Sequence, residues 1–129
     1  MAVDLAQVIL PLVRAKVDFI LIGGMAAILH GSARVTFDVD VVYSRHDNIE
    51  RLTTGLAAHR PYLRNAPHGD ETYQTLLAHS FDVEAFGIRF KCIDLPTLIR
   101  IKEAAGRRKD LEAIAELRVL LEEIGKKQT

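Results

Sequence analysis

Two aspartates one residue apart, Asp38 and Asp40, stand among apolar residues, and a glycine pair, Gly23-Gly24, precedes them at the end of the apolar run Phe19-Ile20-Leu21-Ile22. Side chains alternate along a strand, so Asp38 and Asp40 project from one face while Phe37, Val39 and Val41 project from the other. Carboxylates placed side by side repel and cost stability unless a cation or a proton lies between them. Hard oxygen donors of this kind suit Mg²⁺, which is commonly held by one or two carboxylates together with substrate phosphates. Glycines at a strand-to-helix junction let the backbone approach a ligand closely, and the first helical amides have no intrahelical acceptor. Such a junction offers donors and a positive dipole end to a phosphate. The plainer alternative is a glycine pair that only packs strand against helix, followed by a strand face with two solvated aspartates.

The elements that must position these residues follow from periodicity and punctuation. Asp4 caps a first helix with Leu5, Val8, Ile9, Leu12 and Val13 at helical spacing, and Pro11 inside it predicts a kink or an early end. Asp18 to Ile22 reads as a buried strand stopped by Gly23-Gly24, and Met25 to His30 as a short helix closed by Gly31. Val35 to Tyr43 is a second strand. Asp47 or Asn48 caps a helix to about His59, and Pro61, Asn65, Pro67 and Gly69 mark a loop from Arg60 to Asp70. A short helix around Thr72 to His79 leads to two strands, Phe81 to Phe86 and Ile88 to Ile93, that turn at Gly87. Asp94 with Pro96 starts a helix that Gly106 ends. A last helix runs from about Lys109 to Ile124 with Leu111, Ile114, Leu117, Leu120 and Leu121 as its core face. The fold class is α/β (α+β), a small mixed sheet covered by helices, and 129 residues make one domain.

Seventeen basic and seventeen acidic side chains cancel, which argues against a general electrostatic grip on nucleic acid. Arg100, Lys102, Arg107, Arg108 and Lys109 nonetheless fall close together in sequence, a local patch suited to a phosphate-bearing ligand. The apolar runs are too short for a bilayer, the first residues lack a basic leader region, and Cys92 is the only cysteine. These features predict no membrane association, no internal disulfide and a cytoplasmic address.

The pattern Gly23-Gly24-x-Ala26-x-x-x-His30-Gly31-x-x-Arg34-x-Thr36-x-Asp38-x-Asp40 resembles the DNA polymerase β-like nucleotidyltransferases. In its finer detail it is similar to bacterial minimal nucleotidyltransferases, including those of toxin–antitoxin and abortive-infection systems. The block Leu98-Ile99-x-x-Lys102-x-Ala104-x-Gly106-Arg107-x-Lys109-Asp110 is similar to a second motif of the same group. The resemblance implies the nucleotidyltransferase fold and transfer of a nucleoside monophosphate from a nucleoside triphosphate to an acceptor, RNA or a cognate partner protein. It implies that Asp38 and Asp40 are the catalytic residues and hold Mg²⁺ or Mn²⁺, that Gly23 and Gly24 seat the triphosphate, and that Lys102 approaches a phosphate. Arg34 and Thr36 either bind nucleotide or tie the loop to the sheet. Arg107 and Asp110 belong to a helix–helix turn, and His30 packs a helix end.

The chain departs from the group between His59 and Tyr73, where relatives carry a strand with a third carboxylate. Asp82 and Glu84, on one face of the strand from Phe81, are the candidates to replace it. Two classes follow: a working metal-dependent nucleotidyltransferase, or a degenerate member that binds nucleotide or a partner without turnover. The shortened segment also predicts an open edge on the Val35–Tyr43 strand, covered either by the Phe81 hairpin or by a second copy in a homodimer.

Overall fold

Apolar side chains on both faces of Phe19–Ile22, and on the Ile88, Phe90 and Cys92 face of Ile88–Ile93, require covering helices, and these two segments form the middle of the sheet. The computed structural model describes residues 5–34, 39–44 and 73–127. In chain order these form α1 (Leu5–Arg14), β1 (Phe19–Ile22), α2 (Gly23–Leu29), β2 (Asp40–Tyr43), α3 (Tyr73–Leu77), β3 (Ser80–Ala85), β4 (Ile88–Ile93), α4 (Leu95–Ala105) and α5 (Arg108–Lys127). The strand order is β2-β1-β4-β3. β1 is antiparallel to β2, with Ile22 opposite Asp40, and parallel to β4, with Leu21 opposite Cys92. β3 and β4 form an antiparallel hairpin. The architecture is thus mixed α/β, as the patterning predicts.

Ile20, Leu21, Cys92 and Ile93 are fully buried, and Ile9, Leu12, Leu76, Leu98 and Leu117 join them from α1, α3, α4 and α5. Phe19 and Phe90 stack across β1 and β4 with ring centroids 6.4 Å apart. Cys92 lies in this core, where burial first and the Asp94 charge second push its thiol up to about 12. A thiol so protonated is neither a nucleophile nor a metal ligand at neutral pH.

Local signals set most boundaries. Asp94 adopts extended backbone and accepts from the Thr97 amide at 2.8 Å, with Pro96 in the first turn of α4; Gly106, φ 64°, closes that helix. α2 ends in a Schellman motif, in which the Ser32 amide donates to the Ala27 carbonyl and the Gly31 amide to that of Ile28. α1 ends the same way, but the left-handed position is taken by Lys16, φ 60°. Pro11 sits inside α1 without ending it, since the helix continues to Arg14.

Three expectations need correction. The glycine pair does not precede α2 but forms its first two residues. Leu111 is no part of the core: it is 61% exposed, while Asp110 beside it is 2% exposed. The buried stripe of α5 runs Asp110, Ala113, Ile114, Leu117, and Leu111 falls off it. The β3–β4 hairpin does not cover the outer side of β2, because it lies at the opposite edge, beyond β1. The first part of the predicted second strand, Val35 to Asp38, the helix near Asp47 and the loop from Arg60 to Asp70 lie outside the described residues.

Candidate functional site

The register of β1 against β2 brings two of the sequence-predicted residues together. Asp40 opens β2 opposite Ile22, and Gly23 follows Ile22 as the first residue of α2. Gly23 has φ +70°, and a Cβ placed there would lie 2.7 Å from Asp40 Oδ2. The space a side chain would fill is therefore taken by the carboxylate. Gly24 comes next in α2, so the Gly-Gly turn and Asp40 share one end of the central strand. Asp38 and Thr36 lie outside the described residues.

Among the described residues, Arg34 is tied to α5. Its guanidinium lies 3.6 Å from Glu112 on α5, and its amide donates to Ser32 Oγ at 3.1 Å. Glu116, one turn beyond Glu112, takes two further donors of this loop: Ser32 Oγ at 2.5 Å and the Ala33 amide at 3.0 Å. The Ser32 hydrogen bond, then that of Ala33, hold the Glu116 carboxyl below the ordinary range; burial opposes them, and the Arg34 charge assists. Neither glutamate carries a recognisable sequence signal. Each sits 78 or more residues from its partner in the loop, on a helix surface where glutamates are commonplace.

Lys102 is mostly buried, 14% exposed, with Nζ 3.9 Å from Asp110 Oδ1. Arg107 reaches the same carboxylate through Nε at 2.7 Å and an Nη at 3.2 Å, and its amide donates to Oδ2 at 3.3 Å. Asp110 thereby caps α5 from its third position and draws two cations to the α4–α5 turn. Burial pushes its carboxyl upward, but hydrogen bonds from Arg107 and the charges of Arg107 and Lys102 together leave it lowered. Arg107 and Asp110 thus meet in the α4–α5 turn, where the sequence places them. His30 is a packing residue: it caps α2, bonds the Ile93 carbonyl through Nε2 at 2.8 Å, and tilts against Phe81 at 5.5 Å.

Asp82 and Glu84 do not complete the aspartate site. Each lies directly opposite a cation on β4, Asp82 pairing with Lys91 at 3.1 Å and Glu84 with Arg89. Three strand spacings separate β3 from β2, about 14 Å at the usual interstrand distance. Carboxylates so far apart cannot share one Mg²⁺, whose bonds are about 2 Å long. Among the described residues no three His, Cys, Asp or Glu side chains gather around one point. Also among the described residues, no helix is long and apolar enough to cross a membrane.

Comparison with protein-family models, with curated proteins and with solved structures finds no match.

Proposed function

We propose that the chain is a metal-dependent nucleotidyltransferase of the DNA polymerase β-like type, transferring a nucleoside monophosphate to an RNA or protein acceptor. The observation that carries this reading is the placement of the Asp40 carboxylate against Gly23, at the turn where the glycine pair enters α2. A hard oxygen donor beside a turn without side chains is what a cation-bound triphosphate needs, and it fits Mg²⁺ or Mn²⁺. Asp40, with Asp38 two residues before it, would hold the cation, which would neutralise phosphate charge. Gly23 and Gly24 leave the backbone open to the phosphates, and Lys102 would supply a positive charge. In the reaction an acceptor hydroxyl attacks the α-phosphorus, the bond to the bridging oxygen breaks, and pyrophosphate leaves. Such chemistry depends mainly on positioning and charge neutralisation.

One observation favours a second reading, a member that binds nucleotide without turnover. The acidic side chains of β3 are engaged by Lys91 and Arg89 at the far edge of the sheet, so they supply no third carboxylate and no base for the acceptor hydroxyl. Incubation with α-labelled nucleoside triphosphates, Mg²⁺, and either bulk RNA or lysate separates the two. Label transfer that Asp40→Asn abolishes is expected of the enzyme. Mg²⁺-dependent triphosphate binding without transfer marks the second reading, and no binding at all refutes both.

A further inference from the structure

β3 is the edge strand on the side of the sheet away from Asp40, so its surface stands apart from the metal-site reading. Its register with β4 divides it into two rows. Phe81, Val83 and Ala85 share a face with Cys92, Phe90 and Ile88, whereas Asp82 and Glu84 lie opposite Lys91 and Arg89 on the other face. The hairpin closes in two residues, Phe86 and Gly87, and the pair that flanks such a turn, Ala85 and Ile88, exchanges both backbone hydrogen bonds. Alternation then turns the amides and carbonyls of Phe81, Val83 and Ala85 toward β4 and those of Asp82 and Glu84 outward. Among the described residues no strand pairs with that outer side. An unpaired edge is a template for another extended chain.

Two further observations single out this edge. Exposed apolar side chains collect there: Leu77 precedes β3, Phe81 lies on it and Phe86 follows it, while Leu29 adjoins His30, whose ring meets Phe81 at 5.5 Å. Apolar surface gathered in this way marks an interaction site. Phe86 also holds φ 56° beside Gly87 at φ 73°, the two left-handed residues of a type I′ turn. Asn, Asp or Gly suits that position, whereas a bulky side chain is strained there, and this one is 50% exposed. Strained positions of this kind cluster at ligand clamps.

Charge decides which chain the edge accepts. Asp82 meets Lys91 through Oδ1 and Glu84 meets Arg89 through Oε1, and both pairs are exposed to solvent. The two antiparallel registers that would pair most of β3 with a second copy set Asp82 opposite either Asp82 or Glu84 of that copy. Like charges directly opposite are destabilising, so the strand rejects itself. A strand with basic residues at those places meets a carboxylate at each one and continues the alternation of sign that β4 begins. We propose that β3 binds an extended basic segment of a partner protein by antiparallel strand addition. Its Lys or Arg residues would stand at alternate positions opposite Asp82 and Glu84, with apolar residues between them on the Phe81 face.

The test uses fluorescein-labelled Lys-Val-Arg-Val-Lys-Val and the unmodified full chain, with binding read by fluorescence polarisation and amide exchange by NMR. Saturable binding is expected, with slowed exchange at Asp82 and Glu84 and little change at Phe81 and Val83, whose amides already bond β4. Peptide residues opposite Asp82 and Glu84 turn their own amides to β3. N-methylation of the basic residues should therefore weaken binding by about tenfold or more, whereas N-methylation of the valines should leave it nearly unchanged. Glu84→Gln should weaken it roughly twofold to fivefold, as the loss of one exposed charge pair does. Phe86→Asn should weaken it while raising the melting temperature, because asparagine suits the turn. Equal binding of the two methylated peptides, or of a Lys-Lys-Arg-Val-Val-Val control, would reduce the effect to general charge attraction and overturn the proposal. Absence of saturable binding would overturn it as well. So would a dimer of the unmodified chain in sedimentation that Glu84→Pro abolishes, since the edge would then belong to a second copy.

Discussion

A side chain at position 23 would be strained by its backbone and blocked by its neighbour. The φ of +70° disfavours any L-residue by about 1–2 kcal/mol, and the added Cβ would sit 2.7 Å from Asp40 Oδ2. The blocking atom ends a side chain, so the carboxylate can swing away rather than the backbone. Gly23→Ala is therefore expected to cost about 1–3 kcal/mol in a denaturant titration and to displace Asp40. Loss of Mn²⁺ affinity beyond what lowered stability explains is the accompanying result. Gly87→Ala is the control: its φ of +73° is equally unsuited to alanine, but nothing lies within 4 Å of the new Cβ. Equal Mn²⁺ affinity in both variants would refute the role given to the Asp40–Gly23 contact. The partnership of Gly23 and Asp40 was legible because both residue types are unusual within apolar runs and strand alternation limits where the carboxylate points. Glu116 was not legible, since its contact with Ser32 spans 84 residues and its type is ordinary on a helix surface.

Elements announced themselves where a boundary needs a particular residue. Asp94 with Pro96 starts α4, Gly106 and Gly31 close helices at left-handed positions, and Gly87 turns the β3–β4 hairpin. The signal failed where the structure uses an unsuited residue, as at Lys16, which ends α1 in the left-handed region. It failed also at Leu111, because periodicity alone favours an apolar side chain over the buried Asp110 that α4 and the turn require. Lys16 and Gly106 give a paired prediction. Both occupy left-handed positions at helix ends and both are exposed. A Cβ on Gly106 would come no nearer than 3.8 Å to the Glu103 carbonyl, so only conformational preference distinguishes the residues. Lys16→Gly should stabilise the protein by about 0.5–1 kcal/mol and Gly106→Ala should destabilise it by about 1 kcal/mol. Thermal melts read these as opposite shifts of a few degrees. A lower melting temperature for Lys16→Gly would mean that the lysine side chain contributes more than its backbone costs.

The order of the sheet was not written in local sequence, because nothing near β3 or β4 says which edge of β1 they join. A two-residue turn binds β3 to β4, and β4 lies parallel to β1, so the hairpin moves as one unit to the side away from β2. The helical layer closes around that sheet through carboxylates, which makes the whole molecule sensitive to acid in a definite way. Asp110 and Glu116 both titrate below the ordinary range, and both secure α5. A carboxylate with a depressed folded-state pKa contributes stability that is complete above its unfolded pKa and lost as pH falls through the folded value. Stability should therefore be level from pH 7 to about 5 and decline below about 4. General repulsion among the cations also grows in acid, so the decline alone does not identify these two groups. Asp110→Asn separates the causes. At pH 7 it should cost about 1–3 kcal/mol, less than a fully buried pair, because Arg107 is half exposed and regains water. Cation repulsion in acid acts on the variant and the parent alike, whereas the parent alone still has the Asp110 contribution to lose. Denaturant midpoints of the two proteins should accordingly converge between pH 7 and pH 3. A constant gap across that range would show that Asp110 holds the α4–α5 turn by its shape and hydrogen bonds and not by its charge.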